Sequence, residues 1–309
     1  MPFAARIFRT PAAVQRLGCA SRGRRLGPTF RFARNRYHAC PFTEARSMSE
    51  SILVTRTGGT TEIKLNRPHV HNAFDDSLIA DLTAALVDCE LDANVRCVVL
   101  TGAGASFSAG ADLNWMRGMA AAGEAENRDD ALRLATLMRT LNFLSKPTIA
   151  RVNGSAYGGG VGLVACCDMA IGVEGAKFSL SEVKLGLVPA VISPYVIAAI
   201  GARQVRRLFV SGEVFDAAAA ARIGLLHETV PADQLDEAVD RCLHFLGKGG
   251  PLAQDEAKRL ALRIGGMTRE SAERIDEENA ALIARLRVSA EGQHGLGAFL
   301  DKRAPDWVQ

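Results

Sequence analysis

The chain has 309 residues, of which 48% are hydrophobic, 23% charged and 6% aromatic. At ~150 residues per domain this is one or two globular units, and it excludes a disordered chain, a collagen-like repeat and a disulfide-stapled miniprotein. The net charge of +3 conceals an asymmetry: residues 1–47 hold ten Arg, no Lys and one acid, Glu44, a formal +9, while the remainder carries 27 Lys and Arg against 33 Asp and Glu, a formal −6.

The first 47 residues show no sustained helical or strand period, and their Gly, Pro, Ser and Arg content predicts disorder in isolation. An Arg-rich, acid-poor leader fits a transit peptide. It also fits a nucleic-acid-binding tail, or translated upstream sequence ahead of a start at Met48. The seven Cys are odd in number and have no C-x-x-C spacing, which argues for a reducing compartment and against structural zinc or a disulfide framework. No apolar run approaches the ~20 residues that span a bilayer.

From residue 48 the pattern is regular. Ile52–Thr57 and Glu62–Leu65, with Gly58-Gly59 between them, predict a hairpin, which Asn66-Arg67-Pro68 ends. Asp75 or Asp76 caps a helix whose apolar stripe is Leu78, Ile79, Leu82, Leu86 and Val87. Val95–Leu100 reads as a buried strand, Thr101–Ala111 as a small-residue loop and Asp129–Leu144 as a helix. Thr148–Val152 is a second buried strand, followed by the loop Asn153–Gly160, a helix through Val161–Cys167 and a strand at Asp168–Val173. Alternating strands and helices indicate an α/β fold with mostly parallel pairing. Beyond Pro194 nearly everything is helical, apart from a short strand at Leu226–Val230. The expected division is an extension over 1–47, an α/β core over 48–248 and a helical region over 249–309.

Two loops carry candidate chemistry, Ser106–Asp112 and Asn153–Gly160. Each opens a helix, so its free N–H groups lie at the positive end of a dipole. Two such N–H groups aimed at one point would make an oxyanion hole, worth ~3–4 kcal/mol per donor; two ordinary strand-to-helix turns remain the alternative. The second loop lacks the acidic residue that a dinucleotide fingerprint places after the next strand. Glu182 stands in an apolar, small-residue stretch, where lost solvation would raise its pKa and fit it for proton transfer near neutral pH. The alternative is a surface acid paired with Lys184 or Arg203.

Together these pieces resemble the enoyl-CoA hydratase/isomerase (crotonase) superfamily. They are Asn66-Arg67-Pro68 with Asn72-Ala73-Phe74, Phe107–Leu113, Lys146-Pro147, Asn153-Gly154 with Gly158-Gly159-Gly160, Cys167-Asp168, Phe178 with Glu182, Gly186 with Pro189, and Ala298–Arg303. The similarity runs from about Ile52 to Trp307. Within it, Ala109–Met116, Gly158–Asp168 and Ser181–Val196 look most like bacterial methylglutaconyl-CoA hydratases of leucine breakdown.

The resemblance implies a spiral of ββα units with a helical C-terminal trimerisation region and a homotrimer or hexamer. It further implies an acyl-CoA substrate and no metal or separate cofactor, CoA entering as part of the substrate. The thioester oxygen would be held by the N–H groups of Ala111 and Gly159, with Gly158 and Asp112 beside them. Arg67, His71, Ala73 and Ala109 are candidate CoA contacts, as are Phe299 and Lys302. The acyl pocket would be lined by Leu113, Trp115, Met116, Val188 and Ile192. Glu182 would move protons, and the N–H of Ala190 would help hold the water. Hydratases of this family often carry a second glutamate two residues after the Gly triplet, where this chain has Gly162; an isomerase on the same scaffold therefore stays open. Arg117 and Arg151 are candidates for meeting a distal carboxylate. A nucleic-acid role would rest on the Arg-rich segment alone, because the acidic body offers no basic groove, and the intact loops and Glu182 argue against an inert scaffold. The expected location is the bacterial cytoplasm, or the mitochondrial matrix if residues 1–47 are a transit peptide.

Overall fold

The structure is a computed structural model that describes residues 50–308; the expectations placed on residues 1–47 lie outside the described residues. The hairpin forms as expected, β1 (Ile52–Thr57) pairing antiparallel with β2 (Thr60–Leu65) in the register Thr57↔Thr60 to Ile52↔Leu65. Asp75 caps α1 (Asp76–Leu91) by accepting from Leu78 N–H, and the buried stripe of that helix runs through Leu78, Ile79, Leu82 and Leu86. The next strand, β3 (Cys97–Gly102), starts two residues later than its apolar run suggests. Val95 and Arg96 finish a turn instead, with the N–H groups of Arg96 and Cys97 both donating to Gly59 O.

Both small-residue loops hide a short strand, β4 (Ser106–Ser108) in the first and β6 (Ser155–Tyr157) in the second. Between them lie α2 (Leu113–Ala121), α3 (Glu124–Asn142) and β5 (Thr148–Val152). After β6 come α4 (Gly159–Cys166), β7 (Met169–Val173) and β8 (Lys177–Ser179), then α5 (Ser193–Ser211), which bends at Gly201. The chain continues through β9 (Val214–Asp216), α6 (Ala217–Ile223) and β10 (Glu228–Val230). Leu226, expected to open that last strand, is held with Leu225 by Ala220 O at the end of α6. Four helices complete the order: α7 (Leu235–Leu246), α8 (Pro251–Ile264), α9 (Arg269–Arg287) and α10 (Ala290–Leu300).

The strands form two sheets. The larger has the order β1-β2-β3-β5-β7-β10, parallel from β2 onward, and the smaller has the order β4-β6-β8-β9, parallel except for its last pair. Each long parallel strand is followed a few residues later by a short strand of the second sheet: β3 by β4, β5 by β6, β7 by β8. Right-handed parallel connections of this kind repeat the same turn along the sheet, so the loops leaving β4, β6 and β8 emerge as neighbours. The core between the layers is continuous, with Phe74, Phe107, Phe178 and Tyr195 among its largest buried side chains. Each such ring contributes ~1.5–3 kcal/mol relative to exposure. α4 is apolar all round and has six of its eight residues buried, as a helix enclosed by protein must be.

Candidate active site

The cavity at the mouths of the β4, β6 and β8 loops encloses about 740 Å³. It is lined by Ala109–Ala111 from the first loop, Tyr157–Gly159 from the second and Ser181–Leu185 after β8, with Trp115 and Met116 of α2 and the stretch 187–192. Among the described residues no group of three His, Cys, Asp or Glu side chains gathers as a metal site.

The backbone explains why the two loops aim as they do. Phe74 and Ala111 form an isolated parallel bridge in which Phe74 N–H donates to Gly110 O (2.6 Å) and Asp112 N–H donates to Phe74 O (2.9 Å). A parallel bridge uses the groups on either side of its central residue, so the N–H of Ala111 turns away from Phe74. Gly110 permits the turn with φ +83°, where a Cβ would also lie 2.9 Å from Tyr157 O. In the second loop Gly158 N–H donates to Ser179 O and Gly158 O accepts from Gly162 N–H. Gly159 is the first residue of α4, and the first N–H groups of a helix have no intrahelical acceptor. Ala111, one residue ahead of the α2 cap, and Gly159, the first residue of α4, thus line one cavity, and two N–H groups so placed can act on one oxygen as an oxyanion hole does.

Glu182 opens a short 3-10 turn, Glu182–Leu185. Its carboxylate lies against the second loop: a Cβ on Gly158 would come within 3.1 Å of Glu182 Oε1, and Gly158 itself has φ +49°. The residue as a whole is half-buried, but Oε2 is shut off from solvent and has no hydrogen-bond partner. Neither Lys184 nor Arg203 forms an ion pair with it, and both are exposed. Burial pushes the Glu182 carboxyl up to about 7, with only its own backbone N–H acting the other way. A carboxyl of that affinity can both accept and return a proton near neutral pH. Among the described residues no cysteine lines the cavity, and burial pushes the Cys97 and Cys167 thiols up to about 12.

Position 162 has its own physical account. A Cβ on Gly162 would meet Ile192 Cγ2 at 2.3 Å and Met138 Cε at 3.2 Å. Ile192 therefore fills the space that a side chain at 162 would need.

Of the expected site residues, Ala109, Ala111, Trp115, Met116, Gly158, Gly159, Glu182, Val188, Ala190, Ile192 and Phe299 line the cavity. Trp115 also belongs to the core, its Nε1–H donating to Asp130 Oδ1 at 3.1 Å. The expectation for Ala190 needs correction, because its N–H donates to Val188 O at 2.8 Å and is spent within the turn. Arg67, His71, Ala73, Asp112, Leu113 and Lys302 lie outside the lining. Arg67 donates to Ala73 O and pairs with Asp75 and Asp112. Asp112 is the cap of α2, accepting from the N–H groups of Asn114 and Trp115. His71 Nδ1 lies 3.1 Å from Ser106 Oγ. Leu113 is 47% exposed, and Lys302 is exposed with φ 55°. Arg67 and Asp112 thus brace the loops, and none of the six walls the cavity. Arg117 bonds to Asn114 and Arg151 pairs with Asp236, so neither reaches it. The sequence reading did not single out Met119, Tyr157, Arg287, Arg303 and Trp307, all of which line the cavity; Tyr157 stood in the second loop and Arg303 in the C-terminal motif, while the other three had only helical or terminal position as a signal.

Comparison with known proteins agrees with this geometry. The Enoyl-CoA hydratase/isomerase family model matches residues 55–309. The chain belongs to the enoyl-CoA hydratase/isomerase family. It is 33% identical to the 2,3-dehydroadipyl-CoA hydratase of Escherichia coli over 266 residues, covering 84% of this chain and 99% of that protein. It is 32% identical to the hydroxycinnamoyl-CoA hydratase-lyase of Pseudomonas fluorescens, covering 82% and 94%. Among solved structures, an enoyl-CoA hydratase from Shewanella pealeana aligns with TM-score 0.68 and 41% identity over 83% of this chain and 96% of that one. One from Mycobacterium avium aligns with TM-score 0.75 and 33% identity over 84% and 100%. The two-sheet α/β architecture is thus the crotonase fold of this family.

Proposed function

We propose that the protein hydrates an α,β-unsaturated acyl-CoA thioester, and that its substrate is 3-methylglutaconyl-CoA, giving 3-hydroxy-3-methylglutaryl-CoA. The observation that carries the hydration is the unpaired, desolvated Glu182 carboxylate beside the N–H groups of Ala111 and Gly159 in an apolar cavity. Water attacks the β-carbon and gives a proton to Glu182. The π electrons move to the thioester oxygen, where the N–H groups of Ala111 and Gly159 stabilise the enolate. Glu182 then returns the proton to the α-carbon, so one water is added and the carboxylate is regenerated. The CoA is carried in with the substrate and released with the product.

The choice of acyl chain is supported by the resemblance of Ala109–Met116, Gly158–Asp168 and Ser181–Val196 to methylglutaconyl-CoA hydratases. A relative whose name is 2,3-dehydroadipyl-CoA hydratase, a thioester of a dicarboxylic acid, supports the same class. The deciding experiment is turnover of 3-methylglutaconyl-CoA beside crotonyl-CoA; a clear preference for crotonyl-CoA removes the assignment.

A second reading is favoured by the filling of position 162 by Ile192. With one carboxylate, the site can also shuttle a proton between the α- and γ-carbons of an enoyl-CoA, which is isomerisation. A panel of 2-enoyl and 3-enoyl thioesters, followed for loss of the conjugated absorbance or for its appearance, separates the two. The resemblance also supports a homotrimer or hexamer, which light scattering tests.

A further inference from the structure

Four charged side chains line the cavity: Glu182, Lys184, Arg287 and Arg303. Lys184 is exposed, and Arg303 is 46% exposed near Asp301. Arg287, at the end of α9, is different: its side chain is only 13% exposed. Nη1 donates to Asp130 Oδ2 (2.9 Å) and to Asn127 Oδ1 (3.2 Å), and the guanidinium carbon lies 5.6 Å from the centre of the Trp115 ring.

The supports of that guanidinium are themselves fixed. Asp130 is fully buried and accepts from Trp115 Nε1–H and Arg133. Asn127 Nδ2 donates to three carbonyls, those of Met119, Ala122 and Gly123. Arg287 has five N–H donors in a planar fork. Its protein bonds all come from Nη1, and among the described residues Nε and Nη2 donate to no acceptor. Asp130 accounts for the Nη1 end of this cation, but the Nε and Nη2 donors would find no acceptor in an uncharged acyl chain.

We propose that Arg287 is the specificity-determining residue for the acyl group. It receives a carboxylate at the far end of the chain, so that the site takes enoyl thioesters of dicarboxylic acids. The inference rests on the hydratase reading and names the residue that would give it its substrate class. Trp115 and Met119 share the wall with Arg287 and supply the apolar contacts for the carbons between the double bond and the carboxylate. The fork geometry suits bidentate pairing with a carboxylate, which a lysine at this place would not reproduce.

The test compares two substrates within each protein, 3-methylglutaconyl-CoA and crotonyl-CoA. Both carry the same CoA phosphates and only the first has a distal carboxylate. In Arg287→Gln, and in Arg287→Gln/Asp130→Asn so that no buried acid is stranded, the ratio of kcat/KM for the first over the second should fall ~10-fold or more. Because it is a ratio, a loss of folded enzyme cancels. A folding-independent arm uses the unaltered enzyme with the distal carboxylate replaced by an amide, for which KM should rise ~10-fold. A ratio that stays at its original value in both variants, or equal KM values for acid and amide, overturns the proposal and leaves the hydratase reading standing. Failure of the unaltered enzyme to hydrate either thioester overturns the hydratase reading itself.

Discussion

The cavity has two walls that each bury an acid, and they treat it in opposite ways. On the α2–α3–α9 side, Asp130 accepts from Trp115, Arg133 and Arg287, and these donors offset in part the burial that still holds its carboxyl above the ordinary carboxylate range. On the side of the 3-10 turn, Glu182 is buried against Gly158 with Oε2 unpaired, and its carboxyl is pushed up to about 7. The difference separates two uses of a buried carboxylate. One that is saturated with donors fixes its neighbours. One that is deprived of them can exchange a proton.

The strongest way to break this contrast is Asp130→Ala. It strands the Arg287 guanidinium and the Trp115 Nε1–H in a buried place, and a loss of ~3–5 kcal/mol is expected, read as a shift of the urea midpoint. A variant with the original midpoint would show that Asp130 is no anchor. Glu182→Gln should instead leave the fold intact by circular dichroism and lower the hydration rate ~10²-fold or more; near-full kcat would remove Glu182 from the chemistry. In the unaltered enzyme, kcat/KM should rise with pH and level off above about 7, the range to which burial moves Glu182.

The same substitution sharpens the comparison through stability. An ordinary glutamate titrates near 4.5, and in the folded protein this one titrates near 7. Between those values the folded state binds more protons than the unfolded state, so stability falls as pH rises through the window. Glu182→Gln should therefore be more stable than the unaltered protein by ~1–3 kcal/mol at pH 8 and about equal at pH 4. Thermal melts at the two pH values decide it, an equal Tm at pH 8 being the contrary result. The smallest effect concerns position 162. Gly162→Glu should cost ~1–3 kcal/mol by forcing Ile192 aside, and adding Ile192→Ala should restore much of it. A single variant that melts like the original would mean that the space is open.

Much of this was legible in the residues. The hairpin, the Asp75 cap and the long parallel strands follow from period and turn chemistry, and Glu182 was conspicuous as an acid among apolar and small neighbours. The short strands β4, β6, β8 and β9 were not legible. Three residues carry no measurable period, and these segments become strands only through partners distant in sequence. α10 lies inside the region expected to be helical, but its bounds were not legible: its sequence AEGQHGLGAFL contains three glycines, so local propensity argues against a helix and packing decides. The role of Ile192 opposite Gly162, and the place of Arg287 beside Trp115, depend on contacts between segments 30 and about 170 residues apart. The loss of the Ala190 N–H to Val188 O is a turn detail invisible to pattern.

One close contact bears on when the enzyme becomes active during its making. The turn that carries Glu182 is clamped by α10: a Cβ on Gly186 would fall 2.7 Å from Glu291 O, and one on Gly295 would fall 2.3 Å from Leu185 O. Phe299, Arg303 and Trp307 then complete the same enclosure. On the ribosome the loops, the helix starts and Glu182 all emerge more than a hundred residues before this cover does. The wall of the cavity around that turn is complete only once these last residues have been made. A chain ending before residue 290 would hold both loops and Glu182 without this cover, and its hydration rate should fall below that of the full chain.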